Sequence, residues 1–326
     1  MDHTEPTILI TGATGAIGFE TARRLAEAGA HVVVHGPTLA EASAATGRLE
    51  DLGVDTDRLS AIGADFADLS AVVGMAAEVR ERFDRIDVLV HAAAVPGPDG
   101  RTLTGDGNEL AFQVNHLASY LLTRLLIDRL GRADAPGRVV SVSSNLHVGA
   151  NLDWADLQRA RNYAPLPAYA QSQLALTMFT TALARRHPEL DAVSLHPGLA
   201  ESPILHHYGR VGEPAADVAG RVARLCDQRL DVESGAYVDR IILARTAPLA
   251  ANPRALDRLW RRAHGSSAST RQHPPPSEAS TEGGPAPDGI PSSFRGAAGS
   301  CARPGRLRAG PNGRRPARIP TICVRA

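Results

Sequence analysis

A chain of 326 residues with 35 basic and 35 acidic side chains has the size of one large domain or two ordinary ones. The charge is uneven: beyond His264 nine arginines face three acidic residues, a net +6, so the preceding part carries about −6 and nucleic acid is not its expected partner. The three cysteines form no metal or disulfide pattern, and no apolar run approaches the ~18 residues of a membrane span, so a cytoplasmic protein without a membrane span is expected.

The first element is the apolar run Ile8-Leu9-Ile10, read as a buried strand. It breaks into a turn carrying Gly12, Gly15 and Gly18, and helical spacing follows from Ala16 to Ala28, ended by Gly29. Glycines at such a turn let the backbone approach a pyrophosphate, and the helix N-terminus offers free N–H groups and positive dipole. His31 to His35 is the second strand, Leu39 to Leu52 a helix, and Arg58 to Gly63 a strand reaching Asp65. Ser70 to Phe83 reads as a helix, Ile86 to Val90 as a strand, Asn108 to Leu130 as a long helical stretch, and Gly137 to Ser143 as a strand. Pro167 to His187 is helical, Ala192 to Leu195 a strand ending at His196-Pro197-Gly198, Glu213 to Cys226 a helix, and Ala236 to Val238 a short strand.

Apolar strands alternating with amphipathic helices predict an α/β fold, a Rossmann-like doubly wound parallel sheet covered on both faces, in a single domain over residues 1–264. Ligands then sit beyond the C-terminal ends of the strands. From about Gly265, Pro, Gly, Ser and Arg replace all periodicity, which predicts a disordered tail over 265–326.

Ser144 follows a strand end, so its hydroxyl is expected at that ligand-binding edge. Tyr169 lies at the start of a helix and four residues before Gln173, which puts both on one helical face. Asn115 sits inside a helix, where its propensity is poor and a reason is wanted. Each residue taken alone also has a plain structural explanation: a serine caps a strand end, and a tyrosine packs with its hydroxyl satisfied.

These residues belong to a longer pattern. The glycine turn, Asp65, L-V-H-A-A-A-V (89–95), V-N-H-L (114–117), V-S-V-S-S (140–144), A-Y-A-Q-S-Q-L-A (168–175) and L-H-P-G (195–198) with Ser202 after it resemble the short-chain dehydrogenase/reductase family, especially its retinol-dehydrogenase-like branch. The resemblance implies an NAD(P)-dependent oxidoreductase interconverting a carbonyl and a secondary alcohol on a small, hydrophobic substrate, working as a homo-oligomer. By it, Tyr169 is the acid/base, Ser144 polarises the substrate oxygen, and Asn115 holds a relay water. Gly12, Thr14, Gly15, Ala16, Ile17 and Gly18 would cradle the dinucleotide, Asp65 and Phe66 would lie at the adenine, and Ala92 and Ala93 beside the cofactor. Pro197, Gly198 and Ser202 would flank the nicotinamide, and the stretch from Pro203 to Pro214 would form a substrate lid.

The departures bear on chemistry. The chain contains no lysine, and Gln173 stands where the family has one. That ammonium binds the cofactor ribose and lowers the tyrosine pKa by charge proximity. An unassisted tyrosine titrates near ~10, so phenolate is about a thousandfold scarcer than phenol at neutral pH. Two accounts of Gln173 stand side by side: drift from lysine that leaves a dead or repurposed enzyme, or a site where another group supplies the charge or the reaction does not need it. Charge alone favours impaired or altered redox catalysis, and the alternative function is a silent or non-redox member acting as a nucleotide-binding scaffold, dehydratase or isomerase. His91-Ala92-Ala93-Ala94 replaces the common Asn-Asn-Ala-Gly and is expected to cost the sheet side-chain bracing. No acid ends the second strand, which leans the cofactor to NADP over NAD, while Pro37 stands where NADP-users often carry arginine. His196, His206 and His207 read as surface or loop histidines, and no metal site is expected.

Overall fold

The computed structural model describes residues 5–131, 135–201, 205 and 212–268. Ser202, His206, His207, most of the expected lid and the tail from residue 269 lie outside the described residues. The strands are β1 (Thr7–Thr11), β2 (His31–Gly36), β3 (Leu59–Gly63), β4 (Val88–His91), β5 (Gly137–Val142), β6 (Leu190–His196), β7 (Tyr237–Asp239) and β8 (Ile242–Ala244). They form one sheet in the order β3-β2-β1-β4-β5-β6-β7-β8, parallel throughout except for the antiparallel β7–β8 pair.

The unbroken apolar runs explain the layering. Alternate side chains of a strand face opposite sides, so a strand apolar at every position is covered twice. Ile8, Ile10, Val32, Val34, Val88 and Val90 pack beneath α1 (Ala16–Glu27) and α2 (Leu39–Asp51). Leu9, Val33, Leu89 and Val139 face the other way, toward α3 (Leu69–Arg82), the helix α4 over 110–126 and α5 (Pro165–Arg186). Each fully buried side chain of this kind contributes about 1.5–3 kcal/mol. The order of the strands reverses between β1 and β4, which opens the crevice at their C-terminal ends where a ligand belongs.

The long stretch from Asn108 is not one regular helix. It begins with a short turn (Leu110–Phe112), passes through a π-helical turn (Gln113–Leu117) and continues as Ala118–Leu126. After α6 (Ala215–Cys226) come the β7–β8 hairpin, the short α7 (Pro248–Ala251) and α8 (Pro253–Ala268). The sequence pattern predicts no element beyond Val238. Yet Leu256, Leu259, Trp260 and Ala263 are buried at helical spacing, and Trp260 meets Tyr120 and Phe179 at ring distances of 5.0 and 6.0 Å. Arginines at 254, 258, 261 and 262 dilute that stripe in sequence. The boundary drawn at 264 falls inside α8, which runs on to Ala268.

Candidate active site

The glycine turn is held from two neighbouring strands. Thr11 ends β1, its hydroxyl donating to the Val90 carbonyl (3.2 Å) and accepting from the amides of Ala92 (3.1 Å) and Ala93 (3.2 Å). Gly12 lies at φ +67°, and a Cβ there would sit 2.5 Å from Ala93 Cα. A Cβ on Gly18 would sit 2.3 Å from the Gly12 carbonyl oxygen, whereas one on Gly15 meets only that oxygen, at 3.4 Å. Gly15 is exposed, so its missing side chain leaves space for a ligand. Thr14, Ala16 and Ile17 are half-buried around it. Helix α1 starts here with no side-chain cap and no acid in its first turn, so its first N–H groups and dipole face that space.

His35, at the end of β2, supports the same turn. The Gly12 amide donates to its Nδ1 (3.1 Å), the Ala13 amide to its carbonyl (2.9 Å), and its Nε2 donates to the Ala64 carbonyl (2.9 Å). Burial pushes this imidazole down to about 4, so it stays neutral and Nδ1 remains an acceptor. The buried Phe66 ring lies tilted against His35, with centroids 4.5 Å apart, which leaves only its backbone for a nucleotide. Asp65 is exposed, with one carboxylate oxygen accepting from the Ala67 amide (2.8 Å).

The segment 91–94 does not lose its bracing. Thr11 holds Ala92 and Ala93, and His91 Nε2 lies 2.7 Å from the Thr123 hydroxyl. Asn115 completes the frame from the π-helical turn. Its Oδ1 accepts from the Val95 amide (2.8 Å), and its Nδ2 donates to the Val95 carbonyl (3.0 Å) and the Ser172 hydroxyl (2.8 Å). The wide turn aims this amide out of the helix, which answers why a poor helix former stands there.

Ser144, Tyr169 and Gln173 meet at the end of β5. Ser143 is engaged with α5, its hydroxyl 2.8 Å from that of Thr177. Ser144 caps the short turn Asn145–Gly149 by accepting from the Leu146 amide (3.3 Å), and it hydrogen-bonds the Tyr169 hydroxyl. Burial pushes the Tyr169 phenol up to about 12 against the lowering effect of that bond, and no cation contributes among the described residues. Gln173, one turn along α5, is fully buried, and neither its Oε1 nor its Nε2 has a hydrogen-bond partner. Each such orphaned group costs about 1–3 kcal/mol unless a ligand satisfies it. An unpartnered amide one turn from Tyr169 and an open glycine cradle together fit a dinucleotide with ribose hydroxyls and a pyrophosphate.

Pro197 and Gly198 follow β6. The Pro197 carbonyl accepts from Arg221 (2.6 Å), and Gly198, at φ +109°, leaves no space for a side chain beside Arg221 and Glu213. Glu213 also ties down the ends of the lid stretch: its amide donates to the Leu199 carbonyl (2.6 Å) and its carbonyl accepts from the Glu201 amide (3.1 Å). His196 corrects the sequence reading, because it is buried at the end of β6, where burial pushes its pKa down to about 4. No group of three or more metal-binding side chains assembles among the described residues. Thr11 and His35 were missed as site residues, although Thr11 directly precedes the glycine turn.

Residues 6–210 match the short chain dehydrogenase family. Human retinol dehydrogenase 13 is 33% identical over 278 residues, covering 78% of this chain and 82% of that protein. A proposed daunorubicin C-13 ketoreductase of Streptomyces sp. (strain C5) is 40% identical over 200 residues, covering 61% of this chain and 67% of that one. Among solved structures, an uncharacterized protein from Mycobacterium paratuberculosis superposes with a TM-score of 0.67 at 28% identity, over 81% of this chain and 94% of that chain. No described helix is long and apolar enough to cross a membrane.

Proposed function

This chain belongs to the short-chain dehydrogenase family, and on that premise we propose that it is an NAD(P)-dependent oxidoreductase that reduces a carbonyl to a secondary alcohol. The observation that carries the reading is the buried Tyr169–Ser144 hydrogen bond one helical turn from the unpartnered Gln173 amide. When bound, the nicotinamide supplies the hydride. Gly12 to Gly18 and the first turn of α1 would hold the pyrophosphate, Gln173 the ribose beside the nicotinamide, and Asp65 with the Phe66 backbone the adenine end. Ala92, Ala93, Pro197, Gly198 and Ser202 would line the remainder. The absence of an acid at the end of β2 leans the choice to NADP.

Ser144 donates a hydrogen bond to the substrate oxygen, and Tyr169 delivers the proton to that oxygen as negative charge develops on it. Asn115 fixes Val95 and Ser172 with its side chain; its main-chain carbonyl, which also accepts from the Ser119 hydroxyl (3.4 Å), would hold the relay water. A phenol titrating at about 12 is fully protonated at neutral pH, the form that reduction requires. Oxidation requires phenolate, present in about one molecule in 10⁵ at pH 7, so its rate climbs about tenfold per pH unit while reduction stays flat. Relatives that are retinol and polyprenol dehydrogenases and a proposed ketoreductase support a hydrophobic carbonyl or alcohol as substrate.

A second reading, a silent or non-redox scaffold, draws on Gln173 standing where the family has lysine. Titrating NADPH and NADH into the protein and then assaying a panel of hydrophobic ketones separates the two. Binding in the micromolar range, with turnover that falls about 10²–10⁴-fold in Tyr169→Phe at unchanged cofactor affinity, is expected. Unaltered turnover in Tyr169→Phe removes the mechanism; binding without any turnover favours the scaffold.

A further inference from the structure

Behind Ser144 lies a cluster of buried polar atoms that the proposed reaction does not use. His147, in the turn after β5, is fully buried, and both its amide (3.1 Å) and its ring Nδ1 (2.7 Å) donate to the Ser144 carbonyl. A neutral ring that donates through Nδ1 carries a bare acceptor at Nε2, and that atom has no hydrogen-bond partner. The ring meets Tyr237 edge-on, with centroids 4.5 Å apart, and the Tyr237 hydroxyl is also buried and unpartnered.

Strand register supplies the other members. In the parallel β6–β7 pair, Ser194 lies opposite Tyr237 and His196 opposite Asp239. The period of two puts His196 on the same side of β6 as Ala192, which packs in the core beneath α5. His196 Nε2 and Asp239 Oδ1 make no hydrogen bond, although the Arg240 guanidinium lies 3.6 Å from that carboxylate oxygen. The phenol and the His196 ring can donate, while His147 Nε2 and the carboxylate can accept. Two donors and two acceptors are what a single tetrahedral water satisfies. A metal ion is the poorer occupant: His147, His196 and Asp239 are not a group that could hold one, and a water reaches its partners over longer distances than a metal does.

We propose that His147, His196, Tyr237 and Asp239 share a buried structural water, and that this network makes His147 a positioning residue for Ser144. The second half rests on the reading of Ser144 as the group that polarises the substrate oxygen. The network joins the serine loop to the end of β6, where the chain enters Pro197-Gly198, so both sides of the site are held in one frame.

Tyr237→Phe in the full-length protein tests this, since it deletes one hydroxyl and keeps the ring against His147. A melting temperature lower by about 2–4 °C is expected, with faster hydrogen exchange at the His147 amide. Carbonyl turnover should fall about tenfold while the affinity for NADPH is unchanged. His147→Asn, which keeps a donor near the Ser144 carbonyl and loses the Nε2 acceptor, should give the same losses, and the double variant should be little worse than either single one. A Tyr237→Phe protein that melts at the same or a higher temperature with unchanged exchange overturns the proposal, because a dry pocket gains from losing an unpaired hydroxyl. If melting and exchange respond but the parent protein turns over no carbonyl, the water site stands and the reading of Ser144 fails.

Discussion

Replacing Gln173 by lysine tests the electrostatics of the site most directly. The side chain is fully buried one helical turn from Tyr169, a separation of about 6 Å. At an effective dielectric constant near 20, an ammonium at that distance stabilises phenolate by about 3 kcal/mol, or roughly two pKa units. Tyr169, pushed up to about 12 by burial in the parent protein, should then titrate near ~10. The assay is the pH dependence of kcat/KM for alcohol oxidation, followed by nicotinamide absorbance. Its upper break should move down by about two units. Below the break the rate should rise on the order of tenfold, not a hundredfold, because a more acidic phenol is also a weaker base. At any fixed pH reduction must accelerate by the same factor, since the overall equilibrium constant ties the two directions together. Burying an ammonium in place of the neutral amide carries a desolvation cost, so the protein without cofactor should also melt several degrees lower. A break that stays in place while lysine is shown to be charged would refute the reasoning. So would a shifted break that survives Tyr169→Phe.

The glycine turn separates two substitutions. Gly18→Ala puts a methyl 2.3 Å from the Gly12 carbonyl oxygen and should destabilise the fold, whereas Gly15→Ala should melt near the parent temperature. Cofactor titration should nevertheless show Gly15→Ala binding at least about tenfold more weakly, and parent-like affinity would mean that the ligand does not lie over Gly15. Acid should destabilise the protein early. His35 and His196 are pushed down to about 4 and His91 and His116 to about 3, all by burial, so the folded state excludes protons that the unfolded chain takes up below ~6.5. The stability these rings contribute is complete above that pH and is lost as pH falls, by about 2 kcal/mol each between pH 7 and 5. Thermal melts at the two pH values check this, and equal melting temperatures would contradict it. His35→Leu keeps the bulk but removes the acceptor for the Gly12 amide, so NADPH affinity should drop about tenfold or more. Unchanged affinity would show that His35 does not hold the turn.

What is local or repetitive was legible in the sequence. The alternation of apolar runs and amphipathic stretches dictated a parallel sheet covered on both faces, and the strand–glycine–helix succession located the crevice at the end of β1. The four-residue spacing of Tyr169 and Gln173 fixed their common face, because helical geometry is set within one turn. Family membership was legible for the same reason, since its motifs are short and ordered along the chain. Helix α8 was equally local, but its buried stripe of Leu256, Leu259, Trp260 and Ala263 was hidden among arginines. The rest depends on contacts between distant parts of the chain. Ser144 was already singled out in the sequence, but the engagement of the Ser143 hydroxyl by Thr177 on α5 shows only in the fold. His35 reaches Gly12 only through the pairing of β1 with β2. The neutral state of the buried histidines and the high pKa of Tyr169 come from desolvation, a sum over atoms brought together from every part of the chain. Burial and through-space contact have no period in the sequence, so they are settled only when the sheet and both helical layers close.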